Sequence, residues 1–256
     1  MMTRAFPLLV SFAAALFLSC ARGEEITLRD GKVEIQVPVP EGFERVPESS
    51  PQFKEMQSNV SRGGNDLLLL LAQKPNAGKE EGFTRLMNVQ FVRANRGRQA
   101  TKAYLDSERL TMEESAKKAL QKVKADMNVA EMVMDPVYDF SERHFSAVVR
   151  LPAGNDQTVY SIVTPTLVRG RIWFLNVVAT GKDEEQAWAK SAAKKWLGSI
   201  LQASPSDKET LELEEGKGRG LFDGIGNGAI YGAIGGGIGA LIAVLLKKRR
   251  NAAKTE

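Results

Sequence analysis

Histidine, the side chain most often used as a general base near neutral pH, occurs once in this sequence, at His144. A histidine-based zinc site, or a serine nucleophile activated by histidine, would have to use this residue. It follows Glu142 and Arg143, which are residue types of protein surfaces, and it begins a predicted strand. The sequence therefore predicts an exposed or capping histidine, not a catalytic or metal-binding one.

Two serine–lysine pairs have the spacing S-x-x-K, at Ser115–Lys118 and at Ser191–Lys194. In penicillin-recognising enzymes this pattern carries the nucleophilic serine, and S-D-N and K-T-G elements complete the site. The sequence contains neither element. The paired carboxylates at Glu113–Glu114 and Asp183–Glu185 could serve acid–base catalysis, but they fall in predicted first turns of helices, where anions favour the helix dipole. An enzyme of unrecognised type is consequently the last of our hypotheses.

The pattern G-x-G-x-x-G/A, which binds dinucleotides, occurs at Gly224–Ala229 and again at Gly235–Ala240. A dinucleotide site needs a preceding strand and an acidic residue about twenty positions later. Here the later positions hold the cations Lys247 to Arg250. We expect no cofactor, and two alternatives remain for this glycine-rich run: a membrane span or a buried hairpin.

A membrane span is the favoured interpretation, because no charged residue lies between Asp223 and Lys247. As a helix this stretch measures about 34 Å, against a hydrocarbon core of about 30 Å. Small residues recur every fourth position and form one face, which suits close packing on another helix, while isoleucines form the opposite, lipid-facing side. The sequence predicts a transmembrane helix over 224–246, whose packing residues are Gly224, Gly228, Gly232, Gly236 and Ala240.

The first 23 residues have the pattern of a secretory signal peptide: one arginine, an apolar run from Ala5 to Leu18, then small residues. Cleavage would leave a mature chain that begins at Glu24. Cys20, the one cysteine, is a possible lipidation site in a bacterial lipoprotein. If Cys20 is removed with the signal, the mature chain has no thiol for a disulfide, a nucleophile or a metal site.

The orientation of the span follows from its flanking cations. Lys247, Lys248, Arg249 and Arg250 come directly after it, which predicts that the tail 247–256 stays in the cytoplasm. We expect a single-pass protein of the bacterial inner membrane, with its N-terminal domain in the periplasm. The alternative is a type I membrane protein of the eukaryotic secretory pathway.

The formal net charge is +4 and the pI is about 9.1, values that would suit a nucleic-acid-binding protein. Several of the cations lie in the signal and the tail, so the exported part is nearly neutral. Its basic cluster, made of Arg93, Arg96, Arg98 and Lys102, could contact anionic lipid or an acidic partner, or form a solvated loop. Aromatic residues do not alternate with these cations, so nucleic-acid binding is not expected.

Residues 24–203 are predicted to form one α+β domain, an antiparallel sheet packed with two main helices, and 204–223 a linker. Ile26 to Val37 reads as a hairpin that turns at Asp30-Gly31, and Asp66–Ala72 as a strand buried on both faces. Further strands are predicted near 83–92, 145–151, 158–168 and 171–178, the last two joined by a turn at Arg169-Gly170. The helices are predicted over 111–127, with Thr111 and Glu114 as a capping box, and from Asp183, as the cap, to about 201. The predicted apolar face of the second helix consists of Trp188, Ala192, Ala193, Trp196, Leu197, Ile200 and Leu201.

The stretch Val37-Pro38-Val39-Pro40-Glu41-Gly42-Phe43, a long middle helix, three closing strands and a final helix with tryptophans resemble the PsbP-like superfamily over about residues 24–203. That superfamily includes an extrinsic accessory subunit of photosystem II and DcrB-type bacterial envelope lipoproteins. The resemblance implies an accessory or binding role with no shared catalytic residues.

Three hypotheses result. The first is a non-enzymatic, membrane-anchored protein that presents a binding domain outside the cytoplasm and that oligomerises, or joins another membrane protein, through the glycine face. The second is an accessory subunit of an envelope or transport complex. The third is the enzyme of unrecognised type.

Overall fold

The structure is a computed structural model and describes residues 24–74, 85–110, 133–134, 138–139, 141–154, 157–206 and 210–212. Within these ranges the chain forms nine strands and two long helices, with a shorter helical segment at 102–110. The named elements are β1 (Glu25–Asp30), β2 (Val33–Pro38), β3 (Phe43–Arg45), α1 (Pro51–Arg62), β4 (Asn65–Gln73), β5 (Arg85–Val92), β6 (Val133–Met134), β7 (Ala147–Gly154), β8 (Gln157–Val168), β9 (Arg171–Gly181) and α2 (Asp183–Ala203).

Seven strands form one antiparallel sheet in the order β3-β4-β5-β9-β8-β7-β6. Strands β1 and β2 form a separate two-stranded sheet. The predicted α+β class with an antiparallel sheet is thereby confirmed.

The long β8–β9 hairpin forms the middle of the large sheet. Val168 pairs with Arg171, so Arg169 and Gly170 are the two turn residues, with φ of 50° and 68°. Positive φ at both positions matches the twist of the flanking strands, and this geometry favours glycine at the second position. The predicted turn at Arg169-Gly170 and the strands on either side of it are confirmed.

The predicted β1–β2 hairpin is confirmed, but its turn lies one residue later than predicted. Asp30 pairs with Val33, so the two turn residues are Gly31, with a φ of 60°, and Lys32. Ile26, Leu28, Ile35 and Val37 are all buried, because alternate residues of both strands face the core.

Helix α2 covers one face of the large sheet and also contacts β2 of the hairpin. The buried residues of α2 are Ala189, Ala193, Trp196, Leu197 and Ile200. Residues that were predicted for the apolar side but are only partly buried, Trp188, Ala192 and Leu201, pack at the border of the same core. The predicted C-terminal helix and its apolar face are therefore confirmed.

Helix α1 lies against the other face, next to β4, and was not predicted. Ser50 is its N-cap, whose Oγ accepts a hydrogen bond from Phe53 N at 3.1 Å, and Pro51 is the first helical residue. Phe53, Met56 and Val60 are buried at helical spacing. Strand β4 contributes to both cores, since Leu70 and Ala72 lie with α1, and Leu69 and Leu71 lie with α2. Its burial on both faces is as predicted.

One predicted helix start needs correction. The N-cap of α2 is Lys182, and Asp183 is the first helical residue, with its carboxylate accepting a hydrogen bond from Tyr160 Oη at 2.9 Å. The chain is helical over 102–110, where Thr101 Oγ1 accepts a hydrogen bond from Tyr104 N at 3.2 Å. The predicted helix 111–127, with its capping box at Thr111 and Glu114, lies outside the described residues.

The two ends of the chain carry predictions on which the structure is silent. The signal peptide with Cys20, the predicted span with Gly224, Gly228, Gly232, Gly236 and Ala240, and the cations Lys247, Lys248, Arg249 and Arg250 lie outside the described residues. Among the helices of the described part, none has the length and apolarity needed to cross a membrane.

Candidate functional site

His144 lies in a short turn beside a serine and an aspartate. Its Nδ1 is 2.8 Å from Ser141 Oγ, its Nε2 is 3.9 Å from Asp139 Oδ1, and its side chain is 14% exposed. Of the predicted exposed or capping histidine, the exposed alternative is wrong, whereas the hydrogen bond to Ser141 within the turn agrees with the capping one. The backbone of His144 forms a bridge with Thr166 of β8. Burial lowers the pKa of His144 and nearby Lys194 lowers it further, while Asp139 opposes both effects.

These three residues do not have the geometry of a serine hydrolase. In that mechanism the carboxylate hydrogen-bonds the ring nitrogen opposite the serine, and 3.9 Å is too long for such a bond. Ser141 Oγ also accepts a hydrogen bond from Arg143 N at 3.2 Å, and Ser141 N donates to His144 O at 2.8 Å. The contacts close the turn and account for the burial of the histidine.

The basic cluster is partly neutralised within the molecule, where the carboxylates of Asp66 and Glu142 pair with three of its four cations. Arg93 and Arg96 both bind the carboxylate of Asp66, with shortest nitrogen–oxygen distances of 2.9 and 2.7 Å. Lys102 lies 3.2 Å from Glu142. A surface whose cations already hold carboxylates attracts lipid headgroups weakly, so this cluster is not our candidate site.

The other residues that were considered for catalysis either form contacts within the fold or are not brought together in one site. Glu185 forms a two-pronged ion pair with Arg85, with both distances 2.8 Å, and the Arg85 guanidinium lies 4.1 Å from the centre of the Trp188 ring. Ser191 and Lys194 are exposed on α2, and the first S-x-x-K pair lies outside the described residues. In the described part of the chain, no group of three or more His, Cys, Asp or Glu residues is placed to hold a metal ion.

A row of buried amides crosses the large sheet and was not predicted. Asn65 Nδ2 donates to Gln90 Oε1 at 3.1 Å, and Asn88 Oδ1 accepts from both Gln90 Nε2 and Asn176 Nδ2 at 2.9 Å. All four residues are at most 3% exposed. The row links β4, β5 and β9, and it fixes their register because each amide has to meet its partner.

A second buried polar group lies at the 102–110 segment. Tyr104 hydrogen-bonds Glu108 and Asn95, and these residues border a closed cavity against Ile172 and Phe174. Burial, with the nearby carboxylate, raises the pKa of Tyr104, and burial raises the pKa of Glu108. The cavity holds no space for a water molecule, so it offers no ligand site as it stands.

A groove of about 560 Å³ lies between α1 and β4. We call it the edge groove, and its lining residues are Glu48, Phe53, Lys54, Gln57, Ser58, Leu67 and Leu68. Leu67 belongs to the core under α1, whereas Leu68 packs at the core under α2. Because residues from both cores line the groove, it runs along the edge of the sheet and not over one of its faces.

The groove combines an apolar floor with polar walls. Phe53 and Leu67 are 8% and 5% exposed, and Leu68 is half-buried. On the walls, Gln57 Oε1 accepts a hydrogen bond from Leu67 N at 3.0 Å, and Gln57 Nε2 donates to Ser61 Oγ at 3.0 Å. The register bulge in β4 lies between Leu67 and Leu69, inside this stretch.

Comparison with known proteins adds structural neighbours but no family. No family model matches the chain, and no curated protein matches it. Among solved structures, the chain is similar to a mutant of the protein Mog1, with a TM-score of 0.33, 13% identity, and coverage of 71% of this chain and 92% of that one. It is likewise similar to the Ran-binding protein Mog1p of Saccharomyces cerevisiae, with a TM-score of 0.33, 11% identity, and coverage of 71% and 93%.

A third similar structure is LpqN, which is involved in cell envelope biogenesis of Mycobacterium tuberculosis. Its TM-score is 0.32, its identity is 13%, and the match covers 70% of this chain and 88% of that one. TM-scores this low carry no argument about the function of this chain.

Proposed function

We propose that this chain is a non-enzymatic protein whose α+β domain binds a partner protein through the edge groove. The observation that carries the proposal is the groove itself, an open concavity with an apolar floor formed by Phe53, Leu67 and Leu68 at the edge of the sheet. Its size lies within the range of ligand and peptide sites. Leu68, which is only half-buried, is the apolar side chain that the groove leaves accessible as an anchor for a partner.

The side chains in the groove support binding, not catalysis. None of its lining residues is a histidine or a cysteine, and Glu48 is held by Arg45 at 2.7 Å. Lys54 forms no ion pair with the residues that the structure describes, which leaves one cation at the rim for a partner. An isolated ammonium beside an apolar floor suits recognition of a carboxylate.

The same proposal includes the location of the domain. A signal peptide over 1–23 and one span over 224–246 would hold the domain outside the cytoplasm, at the bacterial inner membrane. The small-residue face of the span would join a second copy or another membrane protein, and the domain would belong to the PsbP-like superfamily. These parts rest on the sequence patterns at both ends and at Val37–Phe43.

The groove is tested by crosslinking in the native host. A photo-reactive amino acid at Ser58, on the exposed wall, is compared with one at Ser199, an exposed position of α2. We expect a discrete crosslinked protein from Ser58 and not from Ser199. Equal labelling from both positions, or none from Ser58, would contradict a partner in the groove.

The topology is tested by protease protection of intact spheroplasts with tags after Glu24 and after Glu256. We expect digestion of the first tag and protection of the second. Protection of both tags would overturn the export proposal. The glycine face is tested by crosslinking in the membrane, where Gly232→Leu is expected to abolish a dimer or a complex that the matched variant Ile234→Leu retains.

A further inference from the structure

The edge groove lies beside a part of β4 that pairs with β5 alone among the described strands. Strand β3 pairs with β4 from Gln73 to Leu71, and Val46 N then donates the last hydrogen bond to Leu70 O at 2.9 Å. Beyond that point the chain turns away toward α1, while β4 continues to Asn65. Among the described residues, no strand lies beside the outer edge of β4 from Asn65 to Leu69.

A side chain of α1 lies on this outer edge of β4. Residues of antiparallel strands direct their N–H and C=O groups alternately to the two sides, and Leu67 directs its N–H outward, away from β5. That N–H is bound by Gln57 Oε1 at 3.0 Å. A side-chain amide therefore provides the carbonyl that a neighbouring strand would provide, at the centre of the groove.

We propose that the partner binds as an extended segment that adds to the edge of β4, with its backbone paired to residues 65–69. This inference rests on the proposed function and specifies its ligand: a β-strand of a partner protein. In this mode main-chain hydrogen bonds give affinity, and pockets for alternate side chains give specificity. Gln57 rotates off Leu67 as a carbonyl of the partner replaces its own.

The groove also defines the chemistry of the segment. Alternate residues of the incoming strand face the apolar floor, at Phe53 and Leu67, so they are apolar. A proline cannot occupy a position that donates its N–H to β4. The Lys54 ammonium, which forms no ion pair with a described residue, favours an acidic residue near one end of the segment. The expected ligand is thus an extended, proline-free stretch of alternating apolar residues with one carboxylate.

The probe is a displayed library of short random peptides, selected on the full-length chain and counter-selected on Leu68→Arg. Ser58→Arg, an exposed position in the wall, is a second counter-selection target in case Leu68→Arg disturbs the fold. The most enriched peptide is synthesised with an N-methyl group on each amide in turn, and each Kd is measured by fluorescence anisotropy. N-methylation removes a backbone donor without changing the side chain.

Alternate residues of the bound peptide direct their N–H groups toward β4. We expect N-methylation of those residues to weaken binding about tenfold, and N-methylation of the intervening residues to have little effect. Binding of every methylated peptide with unchanged affinity, or sensitivity without the two-residue period, would overturn strand addition and leave the groove as a binding site. If no selected peptide distinguishes the wild-type chain from both groove variants, the groove itself is rejected, and the proposed function falls with it.

Discussion

Arg171 and Asp30 form a buried ion pair between the large sheet and the β1–β2 hairpin. The Arg171 Nε is 2.8 Å from Asp30 Oδ2, and the two side chains are 13% and 5% exposed. Asp30 Oδ2 also accepts a hydrogen bond from Gly97 N at 3.0 Å. One carboxylate thus connects three parts of the chain that are distant in sequence.

Removing one partner of this pair is expected to destabilise the domain strongly. Asp30→Asn leaves the Arg171 guanidinium buried without its counter-charge, and such losses cost about 3–5 kcal/mol in the free energy of unfolding. Urea denaturation of the purified chain measures the change. The matched control is Arg29→Gln at the exposed Arg29–Glu34 pair, where the expected loss is below about 1 kcal/mol. Similar losses in the two variants would contradict a special role for the buried pair.

The hairpins and the C-terminal helix could be predicted because their signals are local. Arg169-Gly170 stands between two apolar runs, and Trp196 and Ile200 recur at helical spacing in α2. Helix α1 had a local signal too, the Ser50-Pro51 start. The apolar stripe of α1 consists of only three residues, Phe53, Met56 and Val60, and the residues between them are mostly polar. A stripe this short gives a weak helical pattern in the sequence, although all three residues are buried.

The edge groove could not be predicted, because it depends on how far two strands pair. The sequence around Phe43–Arg45 does not indicate that β3 pairs only with the last residues of β4. The buried amides at Asn88 and Gln90 were missed for another reason. Polar residues two apart in a strand predict a solvent-facing side, whereas here Asn88 and Gln90, both on β5, bond each other and the amides of the two neighbouring strands inside the core.

The amide row is expected to tolerate loss of its shared acceptor poorly. Asn88→Ala leaves the Gln90 and Asn176 side-chain amides without their acceptor inside the core, and each unsatisfied buried group costs about 1–3 kcal/mol. We expect a loss of at least about 2 kcal/mol in urea denaturation. Ser199→Ala, which removes an exposed hydrogen bond within α2, is the control and is expected to change stability little. Equal stability of Asn88→Ala and wild type would refute the role of the row.

Stability is expected to fall as the pH rises through the titration of Glu108. Burial raises its pKa in the folded chain above the ordinary value of 4.5, so the folded state holds the proton more tightly than the unfolded state. The stabilising contribution is therefore complete below 4.5 and is lost as the pH increases through the higher folded pKa. Urea midpoints across this pH range test the effect, with Glu108→Gln as the comparison.

Glu108→Gln cannot lose a proton, so its stability is expected to decline less over the same interval. Glu142→Gln, which replaces an exposed carboxylate paired with Lys102, is the control. Parallel pH profiles for wild type and Glu108→Gln would show that Glu108 does not titrate differently in the folded state.

Loss of the Gln57 side chain is expected to lower stability and to strengthen peptide binding, because this side chain would both complete the sheet edge and compete with the proposed ligand. Gln57→Ala removes the acceptor of Leu67 N–H and is expected to cost about 1 kcal/mol in the free energy of unfolding. The same variant is expected to bind the selected strand peptide more tightly, since no intramolecular hydrogen bond has to break. Gln57→Glu, which keeps an acceptor oxygen at the same distance from the helix, is the matched control and is expected to bind no more tightly than wild type. Weaker peptide binding by Gln57→Ala would mean that Gln57 contacts the ligand directly and does not occupy its place.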